Sequence, residues 1–295
     1  MATGKIMKAL SGFYYVQAGD ELYQCRGRGN FRNRGIKPLV GDTVEFEAAN
    51  RTDGYILDVA RRKNELIRPP IANVDQALLV FSAQEPGFSA ALLDRFLVHI
   101  ESNRIEPLII ISKMDLVDET LVETIKQYQS VYEKIGYTVL LTTTLDETSA
   151  QQLLPFIKDQ ISVIAGQSGV GKSSLLNVLD ADLKIETNEI SNHLGRGKHT
   201  TRHVELIQVG EGLIADTPGF SSLDFAQMEG EELSEYFPEM LERLAQCKFR
   251  GCTHTSEPKC AVKDAVEQGE IAASRYEHYQ QFLEEILTQK RRYDR

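Results

Sequence analysis

The sequence has few cysteines, few prolines and no long apolar run. Four cysteines in 295 residues are too few for the disulfide framework of a small secreted domain. Nine prolines and an apolar fraction of 42% exclude a mostly disordered chain. No stretch approaches the roughly 18 apolar residues of a membrane span, and MATGKIMKALSGFYYV lacks the core and cleavage site of a signal peptide. We therefore expect a cytoplasmic protein of two or three domains without a membrane partner.

Basic charge is also scarce. The chain carries 33 Lys and Arg against 43 Asp and Glu, a formal net charge of −10, which argues against a protein that simply coats nucleic acid. Residues 1–68 reverse the balance, with 12 basic against 8 acidic residues. This asymmetry predicts a local contact with a polyanion, although a merely solvated surface explains it equally well.

Residues 1–68 alternate short β-type runs with glycine-rich turns and show no helical period. The runs are GFYYVQAG, ELYQCRGRG, VGDTVEFEA and GYILDVARR. Their spacing predicts a five-stranded OB-type barrel, a fold that commonly binds nucleic acid. Cys25 lies in one of these runs and is expected to be an ordinary buried cysteine.

One loop of this predicted barrel, GRGNFRNRGIK, combines an aromatic residue, Phe31, with basic residues. The basic residues are Arg28, Arg32, Arg34 and Lys37. Such a loop could hold phosphates while a base stacks on the ring, and a solvated loop is the alternative.

The chain changes character after residues 68–75, RPPIANVD, which are predicted to be a linker because two prolines cannot continue a helix or a ladder. Apolar runs then alternate with amphipathic segments such as SAALLDRFLVHIESN and ETLVETIKQYQSVYEKIG. The apolar runs are QALLVFS, PLIIIS, YTVLLTT, ISVIAG and GLIADT. The pattern predicts a doubly wound, mostly parallel α/β domain over residues 72–222. An acidic, helical domain is expected over residues 223–295.

A phosphate-binding loop follows the strand ISVIA and precedes the helix SSLLNVL. The segment GQSGVGKSS matches G-x-x-x-x-G-K-[ST] in full. Its candidate nucleotide-binding residues are Gly166, Gln167, Ser168, Gly169, Val170, Gly171, Lys172, Ser173 and Ser174. Backbone N–H groups would converge on the phosphates, Lys172 would bridge the β- and γ-phosphates, and Ser173 would ligate Mg²⁺. The chain is therefore expected to bind a nucleoside triphosphate.

Two further segments fit the γ-phosphate end of such a site. In LIADTPG, Asp216 would hold Mg²⁺ through water and the Gly219 N–H would meet the phosphate. The basic segment GRGKHTTRHVEL contains Thr200 and Thr201, of which Thr201 is favoured as a second Mg²⁺ ligand.

The base is indicated by Ser112, Lys113, Met114 and Asp115, a variant of the Asn-Lys-x-Asp signature of guanine-binding proteins. Asp115 would accept hydrogen bonds from guanine N1 and N2, and Lys113 would lie along the base. The threonines at 142–144 follow the next predicted strand and fit a second base-contacting loop. Both base loops precede the phosphate loop, the reverse of the usual order. A circular permutation explains this, because moved termini leave the site unchanged.

The C-terminal part contains Cys247, Cys252, His254 and Cys260 within 14 residues. Three thiolates and one imidazole fill a tetrahedral Zn²⁺ shell and leave no open position, which predicts a structural site. The spacing is not that of a common zinc finger, so reduced thiols beside a surface histidine are the alternative.

The motifs together resemble the ribosome small-subunit-dependent GTPases, the RsgA family, also called YjeQ or YloQ. The resemblance covers essentially the whole chain and rests on GQSGVGKSSL, GRGKHTTR, DTPGF and the Cys/His spacing. It implies a GTP hydrolase with Mg²⁺ at the nucleotide and one structural zinc. It further implies that the protein binds the 30S subunit late in its maturation, is activated by it, contacts 16S rRNA through the barrel and the zinc domain, and leaves after hydrolysis. The family pattern has Asn where this chain has Ser112, so weaker nucleotide affinity is expected without a change of base.

Hydrolysis is expected to need outside help. Phe220 stands where Ras-type GTPases carry the glutamine that orients water, and it cannot hydrogen-bond to water. His199 is the candidate for that role, and the resemblance implies the same; its alternative is a phosphate or RNA contact in a basic loop. The neighbouring basic residues are Arg196, Lys198 and Arg202.

Two other functions stay open, an RNA-binding adaptor that holds GTP as a structural ligand and a permuted GTPase that serves another RNA. The sequence predicts no obligate oligomer, so a monomer is expected. The segment after Asp216 runs directly into the C-terminal domain, which predicts coupling between nucleotide state and that domain.

Overall fold

The computed structural model describes residues 1–28, 31, 35–67, 69–143, 145–180, 183–185, 204–216, 223–225 and 228–293, with the backbone alone at 216 and 290–293. The candidates Arg32, Arg34, Thr144, Arg196, Lys198, His199, Thr200, Thr201, Arg202, Gly219 and Phe220 lie outside the described residues.

Five strands near the start of the chain form a closed barrel. They are β1 (Ala2–Leu10), β2 (Phe13–Ala18), β3 (Glu21–Gly27), β4 (Thr43–Asn50) and β5 (Asp53–Val59). Their order is β1-β2-β3-β5-β4, and pairing of β1 with β4 closes it. Strands β3 and β5 pair in parallel and the other pairs are antiparallel. The predicted OB-like barrel is confirmed. Strand β1 was not among the predicted β-type runs, and only Ile6 in it is fully buried.

The segment predicted to be a linker is packed rather than free. Strand β6 (Glu65–Leu66) pairs with β7 (Ile71–Ala72), and Val40 bridges to Ile71. Ile71, Ala72 and Val74 are fully buried. The linker prediction was therefore wrong after the two prolines, because three apolar side chains drive this stretch into the core.

Six further strands form a second part of the same hydrogen-bonded sheet. They are β8 (Gln76–Ser82), β9 (Glu106–Ser112), β10 (Thr138–Leu141), β11 (Ile161–Ala165), β12 (Glu205–Val209) and β13 (Gly212–Asp216). The order is β10-β9-β8-β11-β13-β12, parallel except for β12. The phosphate-loop strand β11 thus lies in the middle, between strands from opposite ends of the domain.

Helices cover both faces of this sheet. They are α1 (Ala90–Ser102), α2 (Glu119–Ile135), α3 (Glu147–Gln151), α4 (Leu154–Ile157) and α5 (Lys172–Leu179), with a 3₁₀ turn at Met114–Leu116. Successive strand residues point to opposite faces. In β8, Leu79 and Phe81 share a core with α1 and α2, whereas Leu78 and Val80 share one with α3, α4 and α5. The predicted doubly wound domain is confirmed.

The C-terminal unit is helical. Its elements are 3₁₀ turns at Leu233–Tyr236 and Leu244–Gln246 and the helices α6 (Pro238–Leu241), α7 (Ala261–Glu267) and α8 (Ala273–Tyr293). A separate apolar core fills it, and Val98 of α1 belongs to that core. None of the helices in the described part of the chain combines the length and apolar composition that a membrane crossing needs.

Candidate functional site

The phosphate-binding loop occupies the turn between β11 and α5. Gly166, Gly169 and Gly171 have φ of +143°, +80° and +93°, which favour glycine. A Cβ on Gly166 would lie 2.0 Å from the Val80 carbonyl oxygen, so the backbone has room only for glycine there. Six residues, 166–171, therefore turn tightly before the helix begins, and N–H groups in such a loop before a helix N-terminus are suited to bind phosphate.

Lys172 and Ser173 open helix α5 and are both buried. Lys172 Nζ donates to the carbonyls of Gly166 at 2.8 Å and Gln167 at 2.5 Å, which holds the ammonium over the loop. Burial lowers the pKa of Lys172 to about 8, because desolvation disfavours the ammonium and no side-chain carboxylate in the described part of the chain pairs with it. An anion in the loop would supply that compensation. Ser174 follows on the same helix and is half-buried.

Ser112 connects the candidate base loop to the phosphate loop. Its buried hydroxyl lies 2.6 Å from the Val170 carbonyl oxygen and 3.1 Å from that of Phe81. One hydroxyl proton serves one of these acceptors, and Val170 is the closer. Serine thus retains a contact between the two loops although it lacks an amide.

The rest of the base loop is held by its neighbours. Lys113 has a left-handed backbone with φ of +59°, and its Nζ donates to the Glu85 carbonyl. The Thr143 hydroxyl donates to Asp115 Oδ1, and Met114 N donates to the Thr142 carbonyl at 3.2 Å. The loop after β10 therefore orients the carboxylate that was predicted to read guanine. The run of threonines in the sequence signalled this loop, but not the contact to Asp115.

Asp216 is the last residue of β13, which pairs in parallel with the phosphate-loop strand through Val163 and Ala215. Its backbone thus reaches the carboxyl edge of the sheet beside Gly166. Parallel strands that end at one edge bring their following loops together. The described residues place the phosphate loop, the base loop and Asp216 at that common edge.

The four Cys and His candidates of the C-terminal unit form one cluster, in which all ligand atoms lie within 4.8 Å of one another. His254 Nδ1 is 3.2 Å from Cys260 Sγ and 3.7 Å from Cys247 Sγ, and the two sulfurs are 4.0 Å apart. Zinc–sulfur bonds of about 2.3 Å in a tetrahedron require sulfur separations of roughly 3.8 Å. The donor set and its spacing therefore fit a tetrahedral metal ion.

Helix α8 supports the cluster from behind. Tyr276 Oη donates to the His254 carbonyl at 2.5 Å, and Tyr279 Oη donates to that of Thr253 at 2.9 Å. Burial raises the pKa of Cys252 to about 12, so a cation is needed to hold its thiolate at neutral pH. The two tyrosine hydrogen bonds hold the loop that carries His254.

The barrel differs from expectation at one point. Phe31 is only 5% exposed and belongs to the main apolar core, so the prediction that a base stacks on its ring was wrong. Arg28 forms an ion pair with Glu47, whereas Lys37 is exposed. Cys25 is fully buried as expected, and burial raises its pKa to about 11.

A buried charge cluster between α1 and α8 gave no signal in the sequence. Arg275 is 1% exposed and lies 2.7 Å from both Asp94 and Glu239. His278 Nδ1 is 2.5 Å from Asp94, and Tyr132 Oη donates to the same carboxylate at 2.7 Å. Charged residues in an amphipathic helix usually face solvent, and only the docking of the two units buries these.

Family models match the barrel and the GTPase domain, and curated relatives match almost the whole chain. The family model described as RsgA GTPase matches residues 59–226, and the RsgA N-terminal domain model matches residues 3–56. A curated relative from Halalkalibacterium halodurans, named small ribosomal subunit biogenesis GTPase RsgA, is 68% identical over 292 residues, with 99% of each chain covered. A relative of the same name from Bacillus cytotoxicus is 63% identical, covering 99% of this chain and all of that protein.

Two solved structures share the fold. One, described as YloQ, a circularly permuted GTPase, has a TM-score of 0.85 and 52% identity over 98% of this chain and 96% of that chain. YjeQ from Thermotoga maritima has a TM-score of 0.87 and 38% identity, and the match covers 97% of this chain and 98% of that chain. Each match covers 97% or more of this chain and therefore includes the barrel, the GTPase domain and the unit with the Cys/His cluster. The chain belongs to the RsgA GTPase family and is a circularly permuted GTPase.

Proposed function

We propose that this chain is a late maturation factor of the small ribosomal subunit. In this role it hydrolyses GTP to GDP and phosphate, is stimulated by the 30S subunit and leaves it after hydrolysis. The observation that carries the nucleotide part is the contact between the Ser112 hydroxyl and the Val170 carbonyl, which joins base and phosphate loops. The ribosomal part is supported by the names of relatives that match 99% of this chain.

The nucleotide would lie along the carboxyl edge of the sheet. Asp115 selects guanine, because adenine lacks donors at both N1 and N2, and Lys113 lies beside the base. The N–H groups of residues 166–171 bind the phosphates, and Lys172 balances their charge. The positive φ angles of Gly166, Gly169 and Gly171, which let the backbone turn tightly before helix α5, support this position for the phosphates.

Ser173, Asp216 and Thr201 would hold Mg²⁺. When bound, the ion neutralises charge on the β- and γ-phosphate oxygens. Ser173 lies at the second position of α5, beside Lys172, and would supply its hydroxyl as a ligand. Gly219 would donate its N–H to the γ-phosphate, and His199 would orient the attacking water because Phe220 cannot. Replacement of His199 by Ala is expected to abolish the stimulation by the subunit.

The metal of the C-terminal cluster is proposed to be one zinc ion with a structural role, since four protein donors leave no position for substrate. The three domains are proposed as 1–68, 72–222 and 223–295, in a monomer.

The proposed rRNA contacts use exposed basic surface on both flanking units. In the Cys/His loop, Lys248, Arg250 and Lys259 are exposed around Phe249, whose ring is 43% exposed. Lys248 Nζ lies 5.2 Å from that ring centre. Cations beside an exposed aromatic ring bind phosphate and stack bases in many RNA-binding surfaces. On the barrel, Lys37 provides a corresponding exposed charge.

The deciding experiment measures GTP turnover by the purified protein alone, with 30S subunits, and with 50S subunits or ATP as controls. Slow turnover that 30S subunits alone raise many-fold supports the proposal. Binding of GTP without stimulation by either subunit would favour the adaptor function. Equal stimulation by 50S subunits would favour action on another RNA.

A further inference from the structure

Helix α1 serves two units at once. Leu93, Phe96 and Leu97 pack on the sheet, while Asp94 binds Arg275 of the C-terminal unit. Arg95 also contacts the C-terminal unit, and Val98 and His99 lie one helical turn after Asp94 and Arg95. A change on this side of the helix therefore acts on the C-terminal unit.

The segment Leu223–Phe225 is held against that side. Phe225 is 2% exposed and belongs to the C-terminal core. Its ring stacks on His99, with centroids 5.2 Å apart and 12° between the planes, and it lies 5.2 Å from the ring of Phe282. Phe225 is thus fixed between α1 and α8, nine positions after Asp216 at the edge of the nucleotide site.

Arg95 contacts both the segment Leu223–Phe225 and helix α8. Its Nη1 donates to the Leu223 carbonyl and to Glu285 Oε1, both at 3.0 Å, and its Nη2 lies 2.5 Å from Glu285 Oε2. The guanidinium stands 4.6 Å from the ring centre of Phe225 and 4.8 Å from that of Phe282. One side chain therefore links α1, the chain leaving the nucleotide site, and α8.

A planar guanidinium is needed for this geometry. It donates in two directions within one plane while its faces remain free for aromatic rings, which a lysine ammonium cannot do. Since the acceptor at Leu223 is a backbone carbonyl, the contact depends on where the backbone of the segment lies and not on the identity of its side chains.

We propose that Arg95 is a positioning residue that transmits the nucleotide state from the segment Leu223–Phe225 to helix α8. GTP has the γ-phosphate to which Gly219 is proposed to donate, and GDP lacks it, so the two nucleotides would hold the chain after Asp216 differently. The contacts of Arg95 with Leu223, Phe225, Glu285 and Phe282 are called the Arg95 clamp. Through them the difference reaches helix α8, and thereby the unit that carries the Cys/His cluster. The inference rests on the proposed nucleotide dependence, but not on the identity of the RNA partner.

The test is amide hydrogen exchange, read by mass spectrometry, over residues 279–286 of the full chain loaded with GDP or with a non-hydrolysable GTP analogue. In the wild type, we expect exchange in this segment to differ about fivefold or more between the two nucleotides. Arg95→Gln should abolish that difference and keep the affinity for both nucleotides. Arg95→Lys should behave like Arg95→Gln, which distinguishes planar bridging from charge alone.

Lys126→Gln, which removes an exposed cation of α2, is the matched control and should retain the wild-type difference. The contacts of Arg275 with Asp94 and Glu239 are present in every variant, so unchanged exchange over residues 233–241, outside the measured segment, verifies that α8 stays docked. A wild type without a nucleotide-dependent difference, or an Arg95→Gln variant with the full difference, overturns the proposal. Neither measurement needs 30S subunits or turnover, so failure of the proposed function is recognised separately.

Discussion

The barrel and the C-terminal unit are attached to the GTPase domain by different physical means. Strand β1 of the barrel pairs with β12, so the two sheets are continuous, and one apolar core runs through both. The C-terminal unit instead docks on α1 through buried charges around Arg275 and through the Arg95 clamp, with Val98 as an apolar contact. Backbone pairing and apolar burial tolerate many substitutions, whereas a buried charge depends on each partner. We therefore expect the barrel to be the robust attachment and the C-terminal unit the sensitive one.

Loss of one cluster donor should have the largest effect. Structural zinc sites contribute about 10 kcal/mol or more of binding free energy, much of which is folding free energy. Cys260→Ala should therefore release the metal and unfold the C-terminal unit, while the barrel stays folded. Metal content and limited proteolysis measure this. Cys25→Ala, which changes a buried cysteine outside the cluster, should keep the metal; a Cys260→Ala protein with bound metal would contradict the prediction.

Removing the central cation of the buried cluster comes next. Arg275→Leu leaves Glu239 buried without its cation and Asp94 with only the His278 imidazole, which should destabilise the protein by about 3–5 kcal/mol. The denaturant midpoint of the C-terminal transition, followed by tyrosine fluorescence, reports it. A loss below about 1 kcal/mol would mean that solvent reaches the carboxylates.

The same contrast is proposed for the nucleotide site, where backbone groups would bind phosphate and side chains would bind the base. Lys172 is the charged exception, with a pKa lowered to about 8 by burial. Phosphates favour its ammonium form, so binding should take up a proton above pH 8. Affinity for GDP should therefore fall by up to about tenfold per pH unit above 8 and change little from 6 to 7. Calorimetry in two buffers of different ionisation enthalpy measures the proton uptake, and a flat profile from pH 8 to 9 would disprove it.

Ser112→Ala removes the side-chain link between the two loops. One lost hydrogen bond to a buried carbonyl costs about 1 kcal/mol, so the affinity for GDP should fall about fivefold. Equilibrium titration with a fluorescent GDP analogue measures it. Thermal unfolding of the nucleotide-free protein serves as the control, since a general loss of stability would show there too.

The smallest effect is expected at the barrel junction. Lys8 and Glu205 form an ion pair of 2.6 Å across β1 and β12, with a third or more of each side chain exposed. Such pairs contribute about 0.2–1 kcal/mol, and less at high salt. Lys8→Ala should therefore shift the unfolding midpoint only slightly, because the backbone pairing remains. A shift as large as that of Arg275→Leu would remove the distinction between the two attachments.

Most of the fold was predictable because its signals are local. Continuous apolar runs and amphipathic segments predicted β8, β9, β11, α1 and α2 within one or two residues. Strand β1 was missed because most of its residues are half-buried in the closed barrel. Its sequence therefore does not alternate between apolar and polar residues as a strand with one buried face does. The segment after the two prolines was misjudged because its burial depends on Val40, about thirty residues earlier in the chain.

The sequence by itself determined the chemistry at the carboxyl edge of the sheet. The glycine spacing, Lys172 and the Ser-Lys-Met-Asp segment are short motifs whose roles follow from the residues themselves. Only the tertiary structure decided which side chains become buried partners. Phe31 turns into the core, Ser112 reaches Val170, and Arg275 loses contact with water. These outcomes depend on residues far apart in the chain, and no local pattern contains the distances between them.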